Sequence, residues 1–247
     1  MVDMHIHTNN SDGQYSTIEI VEMLKKLDVE LFSITDHDNV DSCLELEKIN
    51  LQDKIKYIPG IEFSAINGIY NCHILGYNID YKNINLINEC KIIKQRRLDK
   101  IKIIMKNLNN KHNIYLSEEE QNSIFNKTGT TGRFDLCRIL MGHGYGKKQE
   151  IYEKYLSNIE GIKTHRSNIE NITEIIKDAN GISILAHPKE NSIHDLQDVK
   201  RYILLAKKYN LLITGGSDFH GASHPERTLG TTTQEKIKIY SSNLKLR

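Results

Sequence analysis

The alternation of hydrophobic and polar positions in the first 80 residues predicts strands and helices in turn. Four strands are predicted there, at residues 2–8, 31–35, 56–64 and 70–79. A helix between the first two strands begins at Ser16, because Ser16 and Glu19 have the spacing of a capping box and apolar residues follow at helical intervals. A second helix is predicted at residues 42–50. This order is typical of βαβ units with parallel strand pairing.

The middle of the chain has a different pattern. From about residue 83 to residue 156 the apolar spacing is helical, with a second capping box at Ser117 and Glu120 and a helix predicted at 133–141. Helix and strand then alternate again, with predicted elements at residues 169–178, 182–186, 195–209 and 211–214. We therefore predict an α/β fold in three segments: residues 1–82, a helical insertion at residues 83–160, and residues 161–247.

Composition narrows the classes of function. With 247 residues the chain can bury one sizeable core, and its net charge of +1 gives no sequence-wide attraction to nucleic acid or membranes. No apolar run approaches the roughly 20 residues of a membrane span, and the first residues lack the pattern of a signal peptide. The four cysteines are scattered without a C-x-x-C pair, which favours a cytoplasmic protein. Cys72, beside His73, is expected to be a small buried side chain rather than a zinc ligand.

Histidines and acidic residues stand at or near the ends of the predicted strands. His5 and His7 are two positions apart on the first strand, so their side chains point to the same face, and Asp12 follows in the next loop. The same residue types recur beside the other strands, at His37, Glu62, His73, His187, Asp218 and His220. Because the C-terminal ends of the strands meet on one face of a parallel α/β barrel, we expect these nine residues to converge.

The nine residues together predict a metal centre. A single histidine at a strand end is more often a structural residue than a ligand, but burying nine titratable groups without compensation would be costly. Imidazole and carboxylate ligands suit manganese, iron or zinc, and the absence of thiolates disfavours a structural zinc site. Asp36 and Asp38 flank His37 and are expected either to orient its ring or to hold the loop.

Six segments, in chain order, carry a resemblance to a known family. They are DMHIHTNNSDG, ITDHD, GIEFS, CHILGY, LAHP and GGSDFHG. This series resembles the motifs of the PHP (polymerase and histidinol phosphatase) family, and most closely its stand-alone phosphoesterases that act on 3′,5′-nucleoside bisphosphates and short RNA. The resemblance covers about residues 1–80 and 165–230. It implies a distorted seven-stranded (βα) barrel that holds a cluster of metal ions.

The resemblance also implies how the nine residues share two or three divalent ions of manganese, iron or zinc. One ion would be held by His5, His7, Glu62 and Asp218. A second would be held by Asp12, His37 and His220, and a third by His73 and His187, with Glu62 as a bridge. Asp218 and His220 are thereby expected to act in catalysis.

Three further residues are candidates for contact with a phosphate of the substrate. Arg133 matches an arginine of the subgroup's insertion motif and is expected to act in phosphate binding and catalysis, although an exposed arginine at a helix start has the same pattern. Asp135 stands where many relatives have a histidine, and an acid there would repel phosphate. Arg227 is a weaker candidate just past the last candidate ligands. His194 is either a residue that faces the substrate or an exposed residue at a helix start.

The interval between His187 and Asp218 is shorter than in the family by about one βα unit. The strand expected there, with a sequence like GxxGIEVY, is missing, so six strands are predicted where the family has seven. We therefore expect a distorted PHP barrel that lacks one βα unit. Such a barrel would be open or strained near residues 188–195, with reduced stability or activity, or a partner subunit would cover the gap and make the protein an oligomer.

The leading hypothesis for function is an enzyme that hydrolyses a phosphomonoester of a nucleotide or short oligonucleotide through a metal-activated water. Hydrolysis of histidinol phosphate is a weaker alternative, because the insertion and the GGSDFHG segment resemble the nucleotide-acting subgroup. The contrasting alternative is a metal-binding regulatory module that has lost turnover. The expected partner is a small phosphorylated substrate, without a membrane and without an extended nucleic-acid surface.

Overall fold

The first of the two sheets formed by the described residues is parallel throughout. The computed structural model describes residues 1–51, 55–68, 70–187 and 215–230. The sheet consists of β1 (Val2–Ile6), β2 (Leu31–Ile34) and β3 (Lys56–Tyr57), in that order. Residues 215–219 run beside the other edge of β1, where the Asp218 N–H donates to the His5 carbonyl at 2.8 Å. The elements predicted at 195–209 and 211–214, the expected opening near 188–195 and His194 lie outside the described residues.

The second sheet has the strand order β6-β4-β5-β7. Its strands are β4 (Gly60–Asn67), β5 (Tyr70–Tyr77), β6 (Ser167–Asn168) and β7 (Ile182–Leu185). β4 pairs antiparallel with β5, β5 pairs antiparallel with β7, and β4 pairs parallel with β6. A parallel bridge between His37 and Glu62 joins the chain after β2 to β4. The C-terminal end of β2 therefore lies beside Glu62.

Two features of the sheets differ from the sequence-based expectation. The strand predicted at 56–64 is divided at Ile58 and Pro59, so that β3 and β4 belong to different sheets. The expectation of parallel pairing was wrong for β4 and β5, because β4 ends at Asn67 and β5 begins at Tyr70, an interval far too short for the crossover that parallel strands need. The result is a mixed α/β fold, and closure of the strands into a distorted barrel stays a prediction.

Helices occupy the segments that the apolar spacing predicts. Within the described ranges they are α1 (Thr17–Lys26), α2 (Asp41–Leu46), α3 (Ile84–His112), α4 (Glu118–Phe125), α5 (Arg133–Gly142), α6 (Lys148–Ile151), which continues into a π-helical turn (Tyr152–Leu156), and α7 (Ile169–Asp178). Both predicted capping boxes form, at the starts of α1 and α4. None of these helices combines the length and the apolar character that a membrane span requires.

The buried apolar side chains form distinct cores. One core packs α7 and part of α3 against the second sheet and contains Phe63, Ile93 and Ile176. Another lies among α3, α4, α5 and the π-helical turn and contains Ile104 and Leu136. The long helix α3 therefore contributes to both, and it ties the helical region to the second sheet. The division of the chain into three segments at residues 82 and 160 stays a prediction.

Replacing Ile176 with alanine is expected to lower the free energy of unfolding by about 2–5 kcal/mol, because the fully buried side chain would leave a cavity against β5. Urea denaturation in the presence of a chelator measures the change without a contribution from metal ions. Ile84→Ala is the matched control, since Ile84 is exposed at the start of α3, and it should change stability by less than about 0.5 kcal/mol. Equal losses in the two variants would contradict this packing.

Candidate metal centre

Two buried histidines lie at the C-terminal end of β1, His5 within the strand and His7 just after it. The Nε2 atoms of His5 and His7 lie 3.1 Å apart, and each is also 3.1 Å from Glu62 Oε2 on β4. Asp218 Oδ1 completes the group, at 3.4 Å from His5 Nε2 and 3.2 Å from His7 Nε2. The four donor atoms lie within 4.8 Å of one another, although they come from three distant parts of the sequence.

The close approach of residues 215–218 to β1 makes this grouping possible. A Cβ atom on Gly216 would lie 2.4 Å from the backbone nitrogen of His5, so only glycine fits at this position. The buried carboxylate of Asp3 accepts hydrogen bonds from the Ser217 N–H at 2.8 Å and from the Ser217 hydroxyl at 2.6 Å. Asp3 and Gly216 therefore determine where Asp218 enters the site.

A second group of donors shares His7 with the first. It consists of His7, Asp12, His37 and His220, again with donor atoms within 4.8 Å of one another. Asp12 Oδ1 is 3.2 Å from His220 Nε2, and Asp12 Oδ2 is 3.8 Å from His37 Nε2. The rings of His7 and His220 stack with their centroids 4.2 Å apart. The loop after β1 and residues 218–220 thus meet in this group.

Glu62 connects these groups to a third. Its Oε2 atom, which faces the first group, also lies 3.3 Å from His37 Nδ1. Its Oε1 atom is 2.8 Å from His187 Nε2 and 3.1 Å from His73 Nδ1. A carboxylate that directs one oxygen to each of two groups has the arrangement of a bridging ligand. The structure therefore brings all nine of the expected donor residues to one place.

The protonation states of Glu62, Asp218 and His37 are those that metal ligands require. Burial alone would raise the pKa of Glu62, but the imidazoles of His5, His37 and His73 hold it well below its usual range. Burial likewise opposes ionisation of Asp218, and neighbouring histidines outweigh it, so that the pKa of this carboxyl is lowered. Burial lowers the pKa of His37 to about 3, which keeps the ring neutral. Ionised carboxylates and neutral imidazoles are the forms that bind metal ions.

The cluster of donor residues is an environment that favours positive charge. Against the effect of burial, Asp218 and Glu62 raise the pKa of His7 well above its usual value. Within the described part of the chain, the buried atoms Asp12 Oδ1 and His37 Nδ1 make no well-directed hydrogen bond, although His220 Nε2 and Glu62 Oε2 lie 3.2 and 3.3 Å from them. Divalent cations among these donors would satisfy them. Nitrogen and oxygen donors without thiolates suit manganese, iron or zinc, so the residues present fit the expected ions.

A cavity of about 160 Å³ lies beside the cluster. Asp12, His37 and His73 form the wall that it shares with the cluster. The rest of its lining includes four cations, Arg97, Lys100, Arg133 and Arg166. The structure thus places Arg133 next to the candidate ligands and adds three cations that sequence reasoning missed. The available signal was the i,i+3 spacing of Arg97 and Lys100, which puts both on one face of α3.

Positive charge in this cavity is only partly neutralised. Arg97 is paired, since its Nε–H donates to Asp38 Oδ2 at 3.0 Å. Burial, and then the neighbouring guanidinium groups of Arg133, Arg166 and Arg97, lower the pKa of Lys100 to about 8. Burial and the same kind of crowding lower the pKa of Arg166. Cations held this close together favour an anion between them, and a phosphate matches the planar fork of an arginine.

The carboxylate of Asp135, at the start of α5, is engaged in hydrogen bonds and ion pairs within the helical region. It accepts hydrogen bonds from the Gly132 N–H at 2.9 Å, from Lys127 Nζ at 3.3 Å and from Arg138 Nη2 at 3.0 Å. Two cations and a helix N-terminus therefore neutralise this acid. That pairing removes the reason to expect it to repel a phosphate.

Arg227 lies against the candidate ligands. Its Nη1 atom is 2.5 Å from Asp218 Oδ2 and 3.4 Å from His220 Nδ1. The side chain is therefore placed to orient two members of the cluster, and its expected contact with substrate stays a prediction. The same holds for His194, which lies outside the described residues.

The two acids that flank His37 hold different parts of the site. Asp36 accepts hydrogen bonds from the N–H and the hydroxyl of Thr8, both at 2.7 Å, and so fixes the loop after β1. Asp38 pairs with Arg97 of the cavity. Both acids therefore hold loops and side chains around the ring rather than contact the ring itself.

Comparisons with known proteins identify relatives of this chain. The sequence profile of the PHP domain matches residues 3–181. The chain is 24% identical to the 3′,5′-nucleoside bisphosphate phosphatase of Chromobacterium violaceum, over 94% of this chain and 91% of that protein. It is 26% identical to the 5′–3′ exoribonuclease Rnm of Escherichia coli, over 89% of this chain and 72% of that protein.

A solved structure has the same fold. It is the crystal structure of a protein from Bifidobacterium adolescentis, with a TM-score of 0.80 at 20% identity over 94% of this chain and 91% of that one. The names of the relatives from Chromobacterium violaceum and Escherichia coli confirm the expected class of enzyme, a hydrolase of phosphate esters. The profile match spans well over half of the chain and includes six of the nine candidate ligands. The chain therefore belongs to the PHP domain family.

Proposed function

We propose that this hydrolase releases phosphate from a nucleotide, or from the end of a short oligonucleotide, that carries a second phosphate. The observation behind the proposal is that a cavity lined by Lys100, Arg133 and Arg166 shares a wall with the cluster of donor residues. A phosphomonoester at the cluster could extend into this cavity. There its second phosphate would meet the three cations.

The three donor groups would hold two or three divalent ions, with Glu62 between them. When bound, such ions neutralise the phosphate and lower the pKa of an attacking water. The chain's own residues prepare the site for this chemistry. Asp218 and Glu62 stay ionised, His37 stays neutral, and Arg227 orients Asp218 and His220 from behind. Asp12 belongs both to the second group and to the wall of the cavity, so we place the scissile phosphate beside it.

The names of the relatives support a nucleotide substrate. One is a phosphatase of 3′,5′-nucleoside bisphosphates and another is a 5′–3′ exoribonuclease. A nucleoside bisphosphate has a phosphate at each of two positions of its ribose, so that one can be hydrolysed while the other is bound. RNA likewise presents a neighbouring phosphate next to the one that is cleaved. The cation-lined cavity suits both substrates.

Release of inorganic phosphate tests the proposal. Protein loaded with Mn²⁺ is expected to hydrolyse adenosine 3′,5′-bisphosphate and to lose this activity after treatment with a chelator. Adenosine 3′-monophosphate should require a higher KM, because it offers the cavity no second phosphate. If metal is bound but bisphosphate, 5′-phosphorylated RNA and histidinol phosphate are all left intact, the protein is the regulatory metal-binding module instead.

Replacing Arg133 with methionine is expected to raise KM for the bisphosphate by about 10–100-fold, because one charge-assisted contact with the second phosphate is lost. KM for the monophosphate should change by less than about threefold. Steady-state kinetics with both substrates measure the difference. Lys106→Met is the control, an exposed cation of α3 that is not part of the cavity lining. Equal effects on the two substrates would show that Arg133 does not bind the second phosphate.

Replacing Glu62 with glutamine is expected to lower the bound metal and to reduce kcat by at least about 100-fold, because a neutral amide cannot bridge two cations. Elemental analysis of the purified variant measures the metal content. His143→Gln is the control, since His143 is an exposed histidine of the insertion that pairs with Glu120. An unchanged metal content in the Glu62 variant would rule out the bridging role.

Lys100 is expected to make kcat/KM for the bisphosphate fall above pH 8. Its ammonium is charged below its pKa of about 8 and loses its proton above it, so the cavity then attracts the second phosphate less strongly. A profile of kcat/KM against pH reports this pKa in the free enzyme. Lys100→Met should remove the fall in kcat/KM near pH 8 and show a high KM at every pH. Lys102→Met, on the exposed face of α3, should keep that fall. If kcat/KM still falls near pH 8 in the Lys100 variant, the fall must come from the titration of another side chain.

A further inference from the structure

The loop between α4 and α5, residues 126–132, packs against the two loops that carry Asp12 and His37. Thr130 lies at the contact and is 3% exposed. Its N–H donates to the Asn10 carbonyl at 2.7 Å, and its hydroxyl donates to the carbonyl of His37. A single residue of the helical region is therefore bonded to both of the loops that carry Asp12 and His37.

Gly129 allows the loop to come this close. A Cβ atom on Gly129 would lie 2.0 Å from the carbonyl oxygen of Asn10, a distance at which the two loops would have to separate. Lys127 makes a third contact, with its Nζ donating to the Ser11 carbonyl at 2.9 Å. Lys94 of α3 holds the loop from behind, since its Nζ donates to the Lys127 carbonyl at 2.8 Å.

The carbonyl groups that receive these bonds lie where the strands have ended. β1 ends at Ile6 and β2 ends at Ile34. After β2, Glu62 of β4 holds the backbone through the Asp36 carbonyl and the Asp38 N–H, and the carbonyl of His37 between them accepts its hydrogen bond from Thr130. A change in the direction of this backbone would move the side chains of Asp12 and His37, and ligand atoms must be held within about 0.5 Å to bind a metal well.

We propose that Thr130 and Gly129 are positioning residues that set the geometry of the second donor group. This inference rests on the proposed function in one respect, namely that the group holds a divalent ion. The same loop leads directly into Arg133, which lines the cavity. The loop at residues 126–132 therefore aligns metal ligands on one side and presents a phosphate-binding arginine on the other.

Calorimetric titration of the metal-free protein with Mn²⁺, without substrate, tests the proposal. Thr130→Val removes the hydroxyl and keeps the shape of the side chain, and it is expected to weaken one class of Mn²⁺ site by about 10–100-fold, the usual cost of losing a group that orients a ligand. Thr130→Ser keeps the hydroxyl and should restore the affinity to within about threefold. Thr128→Val is the matched control, because Thr128 is exposed in the same loop, and it should bind Mn²⁺ as the unmodified protein does.

Gly129→Ala is a second, independent variant that should weaken the same class of site by separating the loops. At saturating Mn²⁺, Thr130→Val should change KM for the bisphosphate by less than about twofold, in contrast to Arg133→Met. A weaker Mn²⁺ affinity with an unchanged KM distinguishes a residue that positions metal ligands from one that contacts the substrate. If these variants fail to fold by circular dichroism, Lys127→Met removes the contact with Ser11, together with the pairing to Asp135, and should weaken the same site by about threefold.

Unchanged Mn²⁺ affinity in the folded variants would overturn the positioning role and leave the loop as a packing element only. If Thr130→Val and Thr130→Ser weaken Mn²⁺ binding equally, the positioning role is also overturned, because the hydroxyl would then have no effect. The titration needs no substrate, so its result stands even if no phosphoester is hydrolysed. A protein that binds no Mn²⁺ at any site would instead defeat the proposed function, and the positioning role with it.

Discussion

The buried carboxylate of Glu62 is the group on which the rest of the site depends. It is fully inaccessible to solvent, and burying one charge costs several kcal/mol unless other groups compensate. Imidazoles from both sheets supply that compensation, from His5 on β1 and from His73 on β5. The fold can therefore keep this charge only when the two sheets meet at one place. Divalent ions would complete the balance of charge among the three donor groups.

Two environments of opposite character lie side by side in this molecule. The sheets supply carboxylates and imidazoles that attract cations, and the helical region supplies Lys100 and Arg133, which attract anions. Arg97 joins the two, because it extends from α3 and pairs with Asp38 beside His37. Under the proposed function, a phosphorylated substrate lies between them, since metal ions and arginines hold phosphate from different sides. The helical region is thus part of the site and not an appendage to it.

Much of the fold and most of the donor residues could be predicted wherever the signal is local. Helix boundaries followed from apolar spacing and from Ser and Glu three residues apart, and the donors followed from their residue types beside strand ends. Pairing direction was predicted wrongly for β4 and β5, because alternation along a strand does not report the direction of its neighbour. The cations of α3 were missed, because Arg97 and Lys100 have the pattern of any solvated face of a long charged helix.

By itself the sequence determined which elements form and which side chains are able to bind metal, because both depend on residue type and on spacing over a few positions. Only the tertiary structure decided which donors share a point in space and that Glu62 lies between the groups. It also decided that Asp135 is neutralised within the helical region and that Thr130 bonds to the backbone of His37. These are contacts between residues far apart in the chain. They depend on how the two sheets and the helices pack, which no local pattern specifies.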